Sequence, residues 1–153
     1  MACRRMAMGL RTTLKELTHM LALLLSTMLS YASDASLCVS MANTIATQDG
    51  YHTVFVDEDT LKQGQMKYYT FDLQAGRSYL VVACGDEKVK DLDLRVYDTQ
   101  LNIIALDNRD EKYAMVYVTP VWGATFRIDT ILYDSDLQRA SFQIVILAKQ
   151  VAP

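Results

Sequence analysis

Two arrangements of carboxylates in this 153-residue chain could hold a hard cation. Asp91 and Asp93 stand two apart in the alternating segment Asp91 to Asp98 (DLDLRVYD). Their side chains therefore share one face of a strand, about 7 Å apart. The runs Asp57-Glu58-Asp59 and Asp107-Asn108-Arg109-Asp110-Glu111 add further oxygen ligands. Calcium takes six to eight oxygens from several carboxylates and carbonyls. A calcium site would thus draw on Asp57, Glu58, Asp59, Asp91, Asp93, Asp107 and Asp110. The competing reading is a solvated acidic rim of turn-formers, with Arg95 and Arg109 neutralising it as ion pairs. No EF-hand spacing occurs.

Aromatics form the second feature. Tyr69, Tyr79 and Tyr117 fit a core or sheet edge, whereas Tyr68, Tyr97, Tyr113 and Trp122 are expected to face outward. Flat exposed rings bury much area at little entropic cost, so these four make a platform for protein, peptide or polysaccharide. Tyrosine is also simply a good strand former.

Catalytic chemistry is poorly supplied. Beyond the N-terminal segment only His52 remains, with no G-x-S-x-G elbow, H-E-x-x-H pair or cysteine–histidine pair. Two carboxylates could act as a glycosidase pair, but a domain this small leaves little room for a cleft.

The elements that position these residues are short alternating segments. His52–Val56 reads as a strand, 57–59 as an acidic loop, 62–64 as a turn. Lys67–Leu73 alternates; Ala75-Gly76 turns the chain. Arg77–Cys84 is apolar on both faces, hence central, and 85–90 is a charged loop. In 91–98, Leu92, Leu94 and Val96 oppose Asp93, Arg95 and Tyr97. A turn at 99–100 leads into 101–106, then the polar loop 107–111. Residues 112–119, 122–132 and 139–148 complete the set, with a loop at 133–138. About eight strands without an amphipathic helix predict an all-β fold: an antiparallel two-sheet, jelly-roll-like β-sandwich, with a closed barrel as the alternative. Residues 33–50 read as a loosely ordered lead-in to a domain at 51–150.

The first 32 residues have another character. Arg4, Arg5, Arg11 and Lys15 precede the apolar run Met20–Leu29, then Ser30-Tyr31-Ala32 offers small residues around a cut after Ala32. This is the layout of a secretory signal peptide. The ten-residue run spans about 15 Å as a helix, half of a bilayer core. Residues 33–153 carry 11 Lys/Arg and 17 Asp/Glu, a net charge of −6. That acidity disfavours nucleic acid. Export to the periplasm or medium leaves Cys38 and Cys84 in an oxidising compartment, either bridged or as two free buried thiols. A bridge would contribute roughly 4 kcal/mol in the chain-entropy model.

Read in order, Tyr69–Gly76 (YTFDLQAG), Asp91–Asp98 (DLDLRVYD), Asn102–Asp107 (NIIALD), Val118–Ile128 (VTPVWGATFRI) and Phe142–Ile146 (FQIVI) resemble the bacterial pre-peptidase C-terminal domain over about residues 64–148. That family reads F-x-L-x-A-G, D-L-D-L-Y-x-Y-D, G-N-x-x-A-x-x-D, then a Gly before an aromatic strand and a closing Y-x-L-x-V. Leu101 stands where the family usually has Gly. The Gly before the final strand is missing, and no peptidase precedes the domain here. The resemblance implies an exported β-sandwich, and related collagen-binding modules use calcium at an acidic segment.

Together these observations predict an exported, non-catalytic binding module, with calcium as its only expected cofactor. The alternative is a structural or accessory subunit of an envelope complex or secreted protease; a small hydrolase is the third reading.

Overall fold

The computed structural model describes residues 33–151; the expected signal peptide lies outside them. Helix α1 (Asp34–Gln48) comes first, where a loosely ordered lead-in was expected. Ser33 caps it by accepting from the Ser36 N–H at 3.2 Å, and Asp34 sits in the first turn, where the helix dipole favours an anion. Gly50, at φ 82°, lets the chain leave the helix. The helical spacing was obscured because the packed side is made of small residues, Ala35, Cys38, Val39, Ala42 and Ala46, between serines and threonines.

Eight strands follow: β1 (His52–Lys62), β2 (Met66–Leu73), β3 (Arg77–Gly85), β4 (Val89–Tyr97), β5 (Ile103–Asp107), β6 (Tyr113–Val118), β7 (Ala124–Ser135) and β8 (Arg139–Gln150). They form two four-stranded sheets, ordered β1-β8-β3-β6 and β2-β7-β4-β5, with every pairing antiparallel. The chain is therefore an all-β sandwich, and the barrel alternative falls. Two strands run longer than their local pattern suggests. The acidic run Asp57-Glu58-Asp59 is not a loop but the middle of β1. Likewise β7 continues to Ser135, taking the first three residues of the expected loop at 133–138.

Leu73, Val81, Leu92, Leu94, Val96, Ile128, Leu132, Phe142, Ile144 and Ile146 interleave between the sheets and are almost wholly buried. A second cluster lies on the outer face of β3 and β8. There Leu80, Val82, Val145 and Leu147 meet Ala35, Val39 and Ala46 of α1. The Cys38–Cys84 disulfide ties α1 to β3, so the bridged alternative holds. Between β4 and β5, Leu101 takes a left-handed φ of 64°, the conformation for which the resembled family uses glycine. The Asp98 carboxylate holds the turn, accepting from the N–H groups of Gln100 and Asn102 at 2.8 and 2.9 Å.

Candidate binding face

Helix α1 covers one outer face of the sandwich. Among the described residues nothing covers the other, the outer face of β2-β7-β4-β5. Register sets its rows. Tyr68 pairs with Asp129 and Asp129 with Arg95; beside them Thr70 pairs with Arg127 and Arg127 with Tyr97. Three adjacent strands thus bring Tyr68, Arg127, Asp129, Arg95 and Tyr97 together.

Arg127 is the centre of this group. Its Nε and Nη2 donate to the two oxygens of Asp129 at 2.6 and 3.0 Å. The guanidinium carbon lies 4.9 Å from the Tyr68 ring centroid and 5.6 Å from that of Tyr97. A planar cation between two rings, locked by a bidentate carboxylate, loses little freedom when a partner arrives. Asp129 points outward yet is only 2% exposed, because its neighbours' long side chains close over it. Further along the face, Arg95 donates to the Tyr133 hydroxyl at 2.8 Å. At the edge, β5 adds exposed Ile103, Ile104 and Leu106.

Asp93 belongs to the same face and is almost completely buried. Its only cation neighbour among the described residues is Arg95, at 3.8 Å. Burial, helped by the negative charge of Asp91, pushes its carboxyl up to about 6. Asp91 is raised in the same way, by burial and then by Asp110 and Asp134, and its Oδ1 is a buried atom with no hydrogen-bond partner.

The expected calcium ligands fall into two groups, Asp57, Glu58 and Asp59 on β1, and Asp91, Asp93, Asp107 and Asp110, whose negative charges act on one another. Asp57 and Asp59 reach Lys67 Nζ at 2.8 and 2.5 Å, and the Tyr69 hydroxyl donates to Asp57 at 3.0 Å. The Lys67 contact holds both carboxyls below the usual range. Glu58 accepts from Gln143 Nε2 at 2.8 Å. Asp107, at the opposite edge, takes Arg109 Nε and Nη2 and the Met115 N–H. Asp110 is exposed beside it. Among the described residues no three Asp, Glu, His or Cys side chains converge as metal ligands need to.

Of the four aromatics expected on one platform, the structure unites Tyr68 and Tyr97 only. Tyr113 lies on β6 of the opposite sheet, with Arg109 5.9 Å from its ring. Trp122 is exposed in the β6–β7 connection. His52 is exposed at the first residue of β1. Sequence reasoning missed Arg127, Asp129 and Tyr133. The signal was present: they alternate with buried Phe126, Ile128 and Leu132 along β7.

No known family model matches the sequence, and no curated protein matches it. Solved structures do. The chain is similar to PliG from Aeromonas hydrophila, a periplasmic inhibitor of g-type lysozyme, at 13% identity and a TM-score of 0.50, over 66% of this chain and 90% of that one. It is similar to the pre-peptidase C-terminal domain of a Bacillus anthracis collagenase at 14% identity and a TM-score of 0.45, over 60% and 87%. PliG from Salmonella Typhimurium follows at 12% and 0.42, over 62% and 86%. The first likeness is one of fold. A pre-peptidase C-terminal domain is thus among the structures this chain is similar to, without a family match.

Proposed function

We propose that this chain is an exported, non-catalytic β-sandwich that docks a protein partner on the open face of β2-β7-β4-β5. The observation that carries the reading is Arg127, locked by Asp129 between Tyr68 and Tyr97 on an uncovered sheet. Tyrosine and arginine dominate the binding energy of protein interfaces, chiefly where they are already rigid. Arg127 Nη1 remains for a carbonyl or carboxylate oxygen of the partner, and Ile103, Ile104 and Leu106 extend the contact with apolar area. A polysaccharide suits the face less well, because the guanidinium occupies the ring surfaces on which a sugar would stack.

Export is supported by the basic, apolar and small-residue order of residues 1–32 and by the Cys38–Cys84 bridge, which belongs in an oxidising compartment. Among the described residues no helix is long and apolar enough to cross a membrane. The Aeromonas neighbour is named as a periplasmic inhibitor of an enzyme, so a sandwich of this fold can serve to bind a protein.

The test is capture from an envelope extract with the wild-type chain, Tyr68→Ser, and the paired change Arg127→Met with Asp129→Asn, which removes the cation without stranding the buried carboxylate. Both variants are expected to lose a protein that the wild type retains, while Trp122→Ala keeps it. Undiminished capture by both variants would overturn the proposal.

A further inference from the structure

The packed side of α1 accounts for five of its eight apolar residues. Leu37, Met41 and Ile45 recur every four residues on another side and stay exposed. Two contacts fix which way that side faces. Asp34 accepts from Lys112 Nζ, one residue before β6, at 2.8 Å. Asn43 accepts from the Thr53 hydroxyl of β1 at 2.8 Å. Asp34 and Asn43 are nine residues apart, about 180° around a helix, so one side of α1 looks toward β6 and the other toward β1. Met41 and Ile45 follow Asp34 by seven and eleven residues, within about 20° of it, and Leu37 lies within about 60°. The apolar flank therefore faces β6.

Strand β6 meets it with its own outward residues. Tyr113, Met115 and Tyr117 alternate with buried Ala114, Val116 and Val118. The six side chains of helix flank and strand are between 43% and 62% exposed. They amount to an apolar surface on the order of 600 Å², at the upper limit of what a monomer leaves in one patch, with the Lys112–Asp34 ion pair between helix and strand and Arg109 beside the Tyr113 ring. The other outer strand of this sheet differs: β1 carries Asp57, Glu58, Asp59 and Lys62, charges that discourage edge pairing.

We infer that this flank of α1 and the outer face of β6 form the contact between two copies of the chain. The uncovered area comes close to the ~800 Å² per partner of a standard interface. Residues 33–153 carry a net charge of −6, so two copies repel least where charges are few and paired, as Asp34 is with Lys112 here. The patch also suits two-fold symmetry: Tyr113 and Tyr117 flank Met115 at equal spacing, so an axis near Met115 sets each tyrosine against the other one of the second copy. Strand addition is not the mode, because Asp107 Oδ2 already takes the Met115 N–H at 2.8 Å. Side chains make the contact. The surface lies on the sheet opposite the proposed partner face, so both can be occupied together.

The experiment is sedimentation across a concentration series, on protein expressed from residue 1 in an exporting host and recovered with its disulfide intact. The wild type is expected to be dimeric in the micromolar range. Met41→Glu and Met115→Glu should each move the monomer–dimer midpoint up at least about tenfold. Both sites are exposed, so at concentrations where wild type and variants are all monomeric the melting temperature should stay put. Met115→Cys should cross-link to a second copy through that cysteine under mild oxidation. A wild type that remains monomeric at about 100 µM overturns the proposal. So does a dimer indifferent to both glutamates, or a patch that binds phospholipid vesicles and not itself.

Discussion

The two outer faces of the sandwich solve the same problem differently. On β3 and β8 the outward residues are Leu80, Val82, Val145 and Leu147, and a helix pinned by Cys38–Cys84 covers them. On β7 and β4 the outward residues are Arg127, Asp129, Asp93 and Arg95, which neighbouring rings and guanidinia cover in part. The first face is sealed by apolar burial. The second is a pre-arranged polar surface whose ion pairs and ring contacts persist without a lid. A sheet needs a lid only where its outward side is apolar, so the open face is free to bind.

The largest way to break this contrast is to release the lid. Cys38→Ser with Cys84→Ser should lower stability by about 4 kcal/mol, read by denaturant unfolding. Binding through Tyr68 and Tyr97 should survive wherever the sandwich stays folded. On the open face, Arg127→Ala alone should cost about 3 kcal/mol, because it leaves the buried Asp129 without its cation. The paired Arg127→Met and Asp129→Asn change should recover most of that.

Next comes pH. Asp93 is raised to about 6 by burial, so the folded chain holds a proton there that the unfolded chain releases above about 4. Stability should therefore rise as pH falls from 7.5 to 5, by about 1.4 kcal/mol. Asp93→Asn should be more stable at pH 7.5 and lack that slope. Below pH 4 the trend should reverse. Asp57, Asp59 and Asp107 are held low by Lys67 and Arg109, and protonating them removes that stabilisation. The smallest effect concerns the β4–β5 turn. Leu101→Gly should raise stability by about 0.5–1 kcal/mol, since the leucine sits at φ 64°.

Much of the sandwich was legible because period-two alternation is local. Leu92, Leu94 and Val96 against Asp93, Arg95 and Tyr97 give both the strand and its inner face. What was not legible depended on partners distant in sequence. Asp57 and Asp59 read as loop residues because the cation that settles them, Lys67, stands on the next strand. Helix α1 was hidden by weak contrast, since Leu37, Met41 and Ile45 blur its packed side. The Arg127 group requires β7 to lie between β2 and β4, an order that no local pattern states. The same limit placed Tyr113 with Tyr68 and Tyr97, although it belongs to the other sheet.

The most direct measurement is photo-cross-linking in the exporting cell, with a photoreactive residue at Thr70 on the open face or at Ser40 on the exposed side of α1. A discrete adduct with a different protein is expected from Thr70, and from Ser40 none except with a second copy of this chain. An adduct with a different protein confined to Ser40, with Thr70 silent, would contradict the account.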